Sequence, residues 1–138
     1  MPDLKAAGAV CYAVEGDKVL FLLLRSAKHG EWGAPKGHTQ EHETEIETAV
    51  RELFEETGLR HVDFVPGFRQ CIAYNVQKNG KVCSKEVAYF LCRVDPDEVR
   101  LSHEHTEAHL ATIAEIEVLI PHEVMKAVFR KALEHMKP

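Results

Sequence analysis

The chain has 138 residues, a length suited to one domain with its own hydrophobic core, so we expect a single domain over residues 1–138. Hydrophobic residues make up 45% of it, as in an ordinary globular protein, and no apolar run approaches the roughly 18 residues of a membrane-spanning helix. The net charge of −5 argues against nonspecific binding to nucleic acid.

The compartment follows from the amino terminus and the cysteines. The opening sequence MPDLKAAGAV lacks the basic and hydrophobic regions of a signal peptide. The four cysteines have no CxxC spacing, and most lie in apolar or alternating stretches, which is typical of reduced thiols. We therefore expect a cytoplasmic protein that acts as a monomer and binds neither a membrane nor a nucleic-acid polymer.

The first predicted elements are two strands. Residues 5–14 predict one strand, Gly16-Asp17 a tight turn and residues 18–25 the return strand. The continuous apolar run at residues 20–24 predicts that the second strand is buried on both faces.

The loop at residues 26–33 leads into the sequence APKGH. We interpret His29 as an exposed loop residue. Trp32 either packs as an anchor, which we favour, or lines the entrance to a ligand site. Lys36 would place a positive charge beside a bound phosphate. Gly37 would let the backbone approach a ligand or a metal closely.

The next element is an amphipathic helix. Thr44 is suited to cap its start, and Gly58 lies where a left-handed residue would end it. Arg51 can pair with Glu55 four residues on, or reach back to Glu43. Three-and-four spacing predicts a buried stripe of Ile46, Ala49, Val50 and Leu53.

Glutamates dominate this stretch, since seven of the 23 residues from 37 to 59 are glutamates. Glu52, Glu55 and Glu56 share one helix face, where three carboxylates repel each other unless a cation lies among them. Mg²⁺ prefers carboxylate oxygens, so the pattern favours a divalent-metal site. A solvated acidic face without a ligand is the alternative, but it does not explain the preceding WGAPKGH.

The second half predicts more strands. Residues 61–66 predict a short strand, and residues 68–77 and 85–94 a hairpin around the turn dipeptide Asn79-Gly80. Tyr89 is interpreted as half-buried core. Lysines 81 and 85 lie near this turn, where they either meet outer phosphates or keep the hairpin soluble.

The stretch VRLSHEH at residues 99–105 is the second informative one. Glu104 would lie on a loop that could complete metal coordination or take a proton from water. His103 and His105 flank it, and we favour hydrogen bonds to the substrate or to Glu104 over a zinc site, because glutamate oxygens suit Mg²⁺ or Mn²⁺ better. Residues 121–136 predict a last amphipathic helix that begins at Pro121 and packs on the sheet, with its stripe at Val124, Ala127, Val128, Leu133 and Met136.

The central motif resembles the complete Nudix box, with each fixed position at the family spacing: Gly37, Glu43, Arg51, Glu52, Leu53, Glu55, Glu56, Gly58 and Leu59. The resemblance implies an α/β fold, an α/β/α sandwich with a mixed β-sheet, in which a loop–helix–loop binds Mg²⁺ or Mn²⁺. It also implies hydrolysis of a nucleoside diphosphate linked to a further group, and a metal bond to the carbonyl of Gly37.

A narrower resemblance is to the animal-type Nudix hydrolases that cleave diadenosine tetraphosphate asymmetrically. It is carried by LSHEH at residues 101–105, PKGH at 35–38, ETAVRE at 47–52 and FLLLR at 21–25. Tyr74 also matches a tyrosine that such enzymes carry about fifteen residues after the box. The chain departs from this branch at residues 39–43, where TQEHE replaces a PGE entry, and near Leu110, where an aromatic residue is usual.

These observations predict a dinucleoside polyphosphate hydrolase that yields ATP and AMP, with a nucleotide as its small-molecule partner. The metal ligands would be Glu52 and Glu56, with further ligation by Gly37, Glu55 and Glu104. Glu55 or Glu104 is the base, and Arg51 orients the helix carboxylates. The predicted substrate contacts are Lys36, Tyr74, Lys85 and His103. The alternatives are a Nudix hydrolase for a nucleoside triphosphate, ADP-ribose or a diphosphoinositol phosphate, and a non-catalytic Nudix module, which the intact glutamates disfavour.

Overall fold

The computed structural model describes residues 2–138 and shows one mixed sheet of eight strands with helices packed on both faces. This arrangement confirms the predicted α/β/α sandwich. The strands are β1 (Leu4–Glu15), β2 (Lys18–Ser26), β3 (Trp32–Gly33), β4 (Lys36–His38), β5 (Asp63–Phe64), β6 (Gln70–Lys78), β7 (Lys81–Arg93) and β8 (His105–Ala111). The helices are α1 (Glu45–Thr57), α2 (Ile113–Leu119) and α3 (Glu123–His135), with a 3-10 turn at Pro96–Glu98.

Strand β1 lies at the centre of the sheet. It runs parallel to β7 in a ladder from the pair Leu4 and Lys85 to the pair Tyr12 and Arg93. Its other edge pairs antiparallel with β2 and with the short β4. The long β6–β7 hairpin and the edge strand β8 complete the sheet on its two sides.

The predicted burial of β2 on both faces is confirmed. Phe21 and Leu23 lie in the core beneath α2 and α3, whereas Leu22 and Leu24 lie in the core beneath α1. The ring of Phe21 meets that of Phe129 edge to face, with centroids 5.3 Å apart. A strand between two helical layers has no polar face, so it reads as an unbroken apolar run.

The ends of α1 lie where the sequence predicts them. The Thr44 hydroxyl accepts a hydrogen bond from the backbone N–H of Glu47, and the Glu47 carboxylate accepts one from the N–H of Thr44. Gly58 ends the helix at φ +75°, and its N–H donates to the carbonyl of Phe54. These contacts satisfy backbone groups that the helix leaves unpaired at its ends.

The predicted buried stripe of α1 is half wrong. Ala49 and Leu53 are buried, but Ile46 and Val50 keep 43% and 41% of their surface exposed. The inward face is rotated toward Glu56, which is itself buried. Hydrophobic spacing cannot anticipate this rotation, because it assigns every carboxylate to the solvent side.

The predicted strand at residues 61–66 shortens to Asp63–Phe64, and the hairpin strands begin and end within a few residues of their predicted positions. Strand β8 and helix α2 were not predicted. Strand β8 carries the polar sequence HTEAHLA along the edge of the sheet, where neither face is fully buried, and α2 has only seven residues.

The last helix starts later than predicted. His122 is its N-cap and Glu123 its first residue, so Pro121 precedes the helix instead of opening it. Val124, expected in the buried stripe, is 53% exposed. The residues that α3 buries are Met125, Val128, Phe129 and Ala132.

The cysteines are all unpaired: Cys11, Cys71, Cys83 and Cys92. Cys11 and Cys92 are buried side by side on β1 and β7, with their sulfur atoms 3.6 Å apart. Between residues 2 and 138, none of the helices combines the length and the apolar composition needed to cross a membrane.

The orientation of α1 predicts a contrast between two apolar residues on one helix. We expect Leu53→Ala to lower the free energy of unfolding by about 2–4 kcal/mol, because it leaves a cavity in the core. Val50→Ala removes a partly exposed side chain and should cost less than about 1 kcal/mol. Urea unfolding of both variants measures the difference, and equal losses would contradict this orientation.

Candidate active site

The entry strand and the acidic helix meet at Gly37. A Cβ atom at this position would lie 2.0 Å from the carboxyl carbon of Glu52, so any side chain there would have to displace that carboxylate. Strand β4 holds the glycine in place by pairing Gly37 with Ala7 of β1. The absence of a side chain therefore brings the backbone of residue 37 directly against the Glu52 carboxylate.

Arg51 is the centre of an ion-pair network in which both pairings considered from the sequence occur together. Its Nε donates to Oε2 of Glu43 at 2.6 Å, and its Nη2 donates to Oε1 of the same carboxylate at 3.0 Å. Its Nη1 donates to Glu52 at 2.9 Å and to both oxygens of Glu55 at 3.2 Å. Nη2 also donates to the carbonyl of His38 at 2.9 Å, so the guanidinium joins the entry loop to the helix.

Among the carboxylates of this network, Glu43 accepts the most hydrogen bonds. Hydrogen bonds from Arg51, from the Gln40 N–H and from the Thr48 hydroxyl lower the pKa of Glu43 to about 2. The carboxylate therefore stays charged in any ordinary buffer, and it fixes Arg51 from the side away from the other glutamates.

Glu56 has the opposite environment. Only 6% of its surface is exposed, and its Oε2 is buried without a hydrogen-bond partner. Its Oε1 lies 3.3 Å from Nε2 of His105. Burial, together with the nearby carboxylates of Glu52 and Glu104, raises the pKa of Glu56 to about 8, although Lys36 opposes the shift.

A cleft of about 940 Å³ opens beside Glu56. Predicted site residues contribute Lys36, Glu56, Tyr74 and Glu104 to its lining. Tyr89 and His105 also line it, and so does the segment before and within the start of α3, through Ile120, Pro121, His122, Val124 and Met125. Sequence reasoning missed that segment, because its apolar residues looked like ordinary packing.

Tyr74 and Lys85 face each other across the β6–β7 hairpin. They are direct partners in the strand register, and the Lys85 Nζ lies 6.0 Å from the centroid of the Tyr74 ring. Burial and the neighbouring Lys36 and Lys78 lower the pKa of Lys85 to about 8. Burial raises the pKa of Tyr74, so its hydroxyl stays protonated.

The LSHEH segment is placed differently from its sequence interpretation. Glu104 reaches the cleft lining, and its carbonyl accepts a hydrogen bond from the N–H of Ala27 at 2.9 Å. His103 is exposed and lies outside the lining, whereas His105 is largely buried against Glu56. Alternation along a strand puts residues two apart on the same face, so it cannot separate the two histidines. They differ because β8 begins at His105, whereas His103 precedes the strand.

Trp32 has both of the positions considered for it. It packs against the core on the α2 and α3 side of the sheet, and it also lines the cleft. His29 is exposed, as predicted, at the rim of the same cleft.

The donor set suits a hard divalent cation. The close approach of Gly37 to Glu52 and the unpaired buried oxygen of Glu56 are features that a cation among these oxygens would explain. Within residues 2–138, no three His, Cys, Asp or Glu side chains are already gathered at metal-binding geometry. Arg51 pairs with the carboxylates of Glu52 and Glu55, so ligation of a metal would require the carboxylate oxygens to move closer together.

Comparison with known proteins agrees with the fold and the motif. A family model described as the NUDIX domain matches residues 3–134. The asymmetrical bis(5'-nucleosyl)-tetraphosphatase of Rattus norvegicus is 34% identical over 139 residues, which cover 93% of this chain and 92% of the rat protein. The Caenorhabditis elegans protein of the same name is 36% identical over 106 residues, or 74% of each chain. The structure of a C. elegans Ap4A hydrolase binary complex superposes with a TM-score of 0.87 at 30% identity, covering 96% of this chain and 97% of that one.

The fold, with its carboxylate-rich helix beside a cleft, is the α/β/α sandwich that the box resemblance implies. The chain belongs to the Nudix family, because the family model covers nearly all of it, and it is a Nudix hydrolase.

The raised pKa of Glu56 predicts the pH dependence of stability without metal. In the folded protein the pKa of Glu56 is about 8, above the ordinary value of 4.5 for a glutamate, so the stability that this group contributes is fully present below about pH 4.5 and is lost as the pH rises through 8. In EDTA we expect wild-type protein to lose on the order of 3 kcal/mol over this range relative to Glu56→Gln, as measured by urea unfolding. Glu41→Gln, at an exposed position, should follow the wild type. Parallel curves for wild type and Glu56→Gln would show that Glu56 titrates normally.

Proposed function

We propose that this protein hydrolyses dinucleoside polyphosphates with the help of a divalent cation, and that it converts diadenosine tetraphosphate to ATP and AMP. The observation that carries the proposal is the cleft that joins the buried Glu56 to Glu104, Lys36 and Tyr74. Carboxylates that would ligate a cation, a lysine that would meet phosphate and a tyrosine ring that would meet a base all line this cleft, and this supports the proposal. The names of the rat and C. elegans relatives support the choice of substrate.

The residues that would hold Mg²⁺ or Mn²⁺ are Glu52, Glu56 and the carbonyl of Gly37, with Glu55 and Glu104 as further ligands. When bound, such a cation neutralises phosphate charge and makes the attacking water easier to deprotonate. Arg51 keeps Glu52 and Glu55 oriented toward one side of the helix while Glu43 holds the guanidinium from the other.

Glu104 is the better candidate for the general base. It lies in the cleft lining, whereas the Glu55 side chain is outside that lining, 50% exposed and tied to Arg51. A base has to reach the water that attacks phosphorus, so a position on the cleft favours Glu104. Lys36 and Lys85 would stabilise the phosphate oxygens as negative charge develops on them.

Tyr74 would stack on a nucleobase, since its ring lies in the lining and 38% of its surface is exposed. His103 stays a predicted substrate contact, and the substrate would have to extend beyond the cleft to reach it. The unpaired cysteines support action in the reducing cytoplasm, and the proposal treats the enzyme as a monomer.

Product analysis tests the proposal. Wild-type protein with Mg²⁺ should convert diadenosine tetraphosphate to equal amounts of ATP and AMP, separated by chromatography. EDTA or Glu56→Gln should abolish turnover, and Glu104→Gln should lower kcat by about 10²–10⁴-fold, the usual contribution of a general base. Glu98→Gln is the matched control, because Glu98 is exposed on the 3-10 turn just before the loop.

The outcomes separate the alternatives. The wild-type protein could fail to cleave diadenosine tetraphosphate but cleave a nucleoside triphosphate, ADP-ribose or a diphosphoinositol phosphate. That result would change the proposed substrate and leave the assignment as a Nudix hydrolase intact. No metal-dependent turnover of any of these would favour a binding module. Full activity of Glu56→Gln would show that the cation is held elsewhere.

The lowered pKa of Lys85 predicts an alkaline limit. Above about pH 8 this lysine loses the charge that would attract phosphate, so kcat/KM for diadenosine tetraphosphate should fall. The Lys85→Arg variant keeps its charge to far higher pH, so the fall in kcat/KM should move to higher pH. Lys18→Arg, at the exposed first residue of β2, serves as control. If kcat/KM of Lys85→Arg fell at the same pH as that of the wild type, the alkaline loss of activity would belong to another group.

A further inference from the structure

His105 is the first residue of β8, and its side chain is only 13% exposed. Its Nε2 lies 3.3 Å from Oε1 of Glu56, and its Nδ1 lies 3.4 Å from the hydroxyl of Ser102. The two ring nitrogens thus have different neighbours. A hydroxyl can donate to Nδ1, which leaves the ring proton on Nε2, facing the carboxylate.

Backbone hydrogen bonds join the loop before His105 to the end of α1. The N–H of Ser102 donates to the carbonyl of Glu56 at 3.1 Å, and the N–H of Arg100 donates to the carbonyl of Thr57 at 2.6 Å. The loop that carries His105 is therefore bonded to the same last turn of α1 that carries Glu56. The N–H of His105 donates in turn to the carbonyl of Ser102 at 3.2 Å, which closes the turn between them.

The two oxygens of Glu56 are not equivalent. Oε1 faces His105, while Oε2 is buried without a partner. A ring N–H that lies 3.3 Å from one carboxylate oxygen restrains the rotation of that carboxylate and leaves its second oxygen directed away from the histidine. Partners that hold a ligating carboxylate in this way commonly change metal affinity or activity by about 10- to 100-fold when they are removed.

We propose that His105 is a positioning residue for the metal site: its Nε2–H holds Oε1 of Glu56, with Ser102 fixing the ring, and leaves Oε2 to the cation. This inference rests on the proposed function, because it assumes that Glu56 ligates a cation. It gives His105 a role toward the helix rather than toward the substrate or Glu104. It also explains why the LSHEH segment and the Nudix box occur together in one chain, since the histidine of the first supports a glutamate of the second.

The test compares His105→Gln with His105→Leu. The Gln amide can still donate to Glu56, whereas Leu retains only the bulk of the side chain. Mn²⁺ binding is measured by titration without nucleotide, beside kcat and KM for diadenosine tetraphosphate and thermal unfolding in EDTA. His61→Leu is the control, because His61 is an exposed histidine in the loop after α1.

We expect His105→Leu to bind Mn²⁺ about 10- to 100-fold more weakly and to lose kcat with little change in KM. His105→Gln should recover most of the affinity, Ser102→Ala should show a smaller loss in the same direction, and His61→Leu should match the wild type. Unchanged Mn²⁺ affinity in His105→Leu would overturn the inference. Equal losses in the Gln and Leu variants, with lowered thermal stability, would do the same and leave His105 as a packing residue.

The two proposals fail in different measurements. A wild-type protein that binds Mn²⁺ but does not cleave diadenosine tetraphosphate contradicts the proposed substrate, while the affinities of the His105 variants still decide the inference. Wild-type and Glu56→Gln proteins that bind Mn²⁺ equally well remove the metal from Glu56, and with it the role of His105.

Discussion

The site depends on one guanidinium. Arg51 is the only cation bonded to the carboxylates of Glu43, Glu52 and Glu55 in residues 2–138, and it reaches the His38 carbonyl as well. Without it, the carboxylates would repel each other across one helical face, and the entry loop would lose its bond to α1. The pairs of Arg51 with Glu43 and Glu52 are mostly buried, so they are shielded from solvent and count for more than surface ion pairs, whereas the pair with Glu55 is half exposed. The loop, the helix and the glycine that admits Glu52 are therefore held as one unit.

Arg51 does not bond to Glu56. The repulsion among the clustered carboxylates therefore falls mainly on Glu56. Burial keeps water from its Oε2, and its pKa rises because the charged form has neither solvent nor a strong cationic partner. A buried polar atom without a partner destabilises a fold, so it persists where binding compensates for it. The same property that weakens the metal-free protein thus prepares the site for a cation, whose charge would replace the proton.

Much of this could be predicted from local signals. The box spacing located the acidic helix, and Thr44 and Gly58 defined its ends because caps act through nearby backbone groups. The rotation of α1 could not be predicted, since Ile46 and Val50 obey the apolar period as well as Ala49 and Leu53 do. Only tertiary packing decides that a glutamate turns inward. His105 was likewise hidden, because its role depends on β8, a polar edge strand whose sequence carries little strand signal.

A chain of net charge −5 can still attract a polyphosphate, because local charge matters more than total charge. Burial, and after it the nearby Lys36 and Lys78, lower the pKa of Lys85, which means that the sheet holds like charges near one another at a cost in stability. That cost is relieved when an anion binds between them. The clustered carboxylates repel each other in the same way, and a bound cation would reduce that repulsion. A substrate that carries phosphates and arrives with a divalent metal, as proposed, would relieve both costs together, so binding of the cation would favour binding of the phosphates and the reverse.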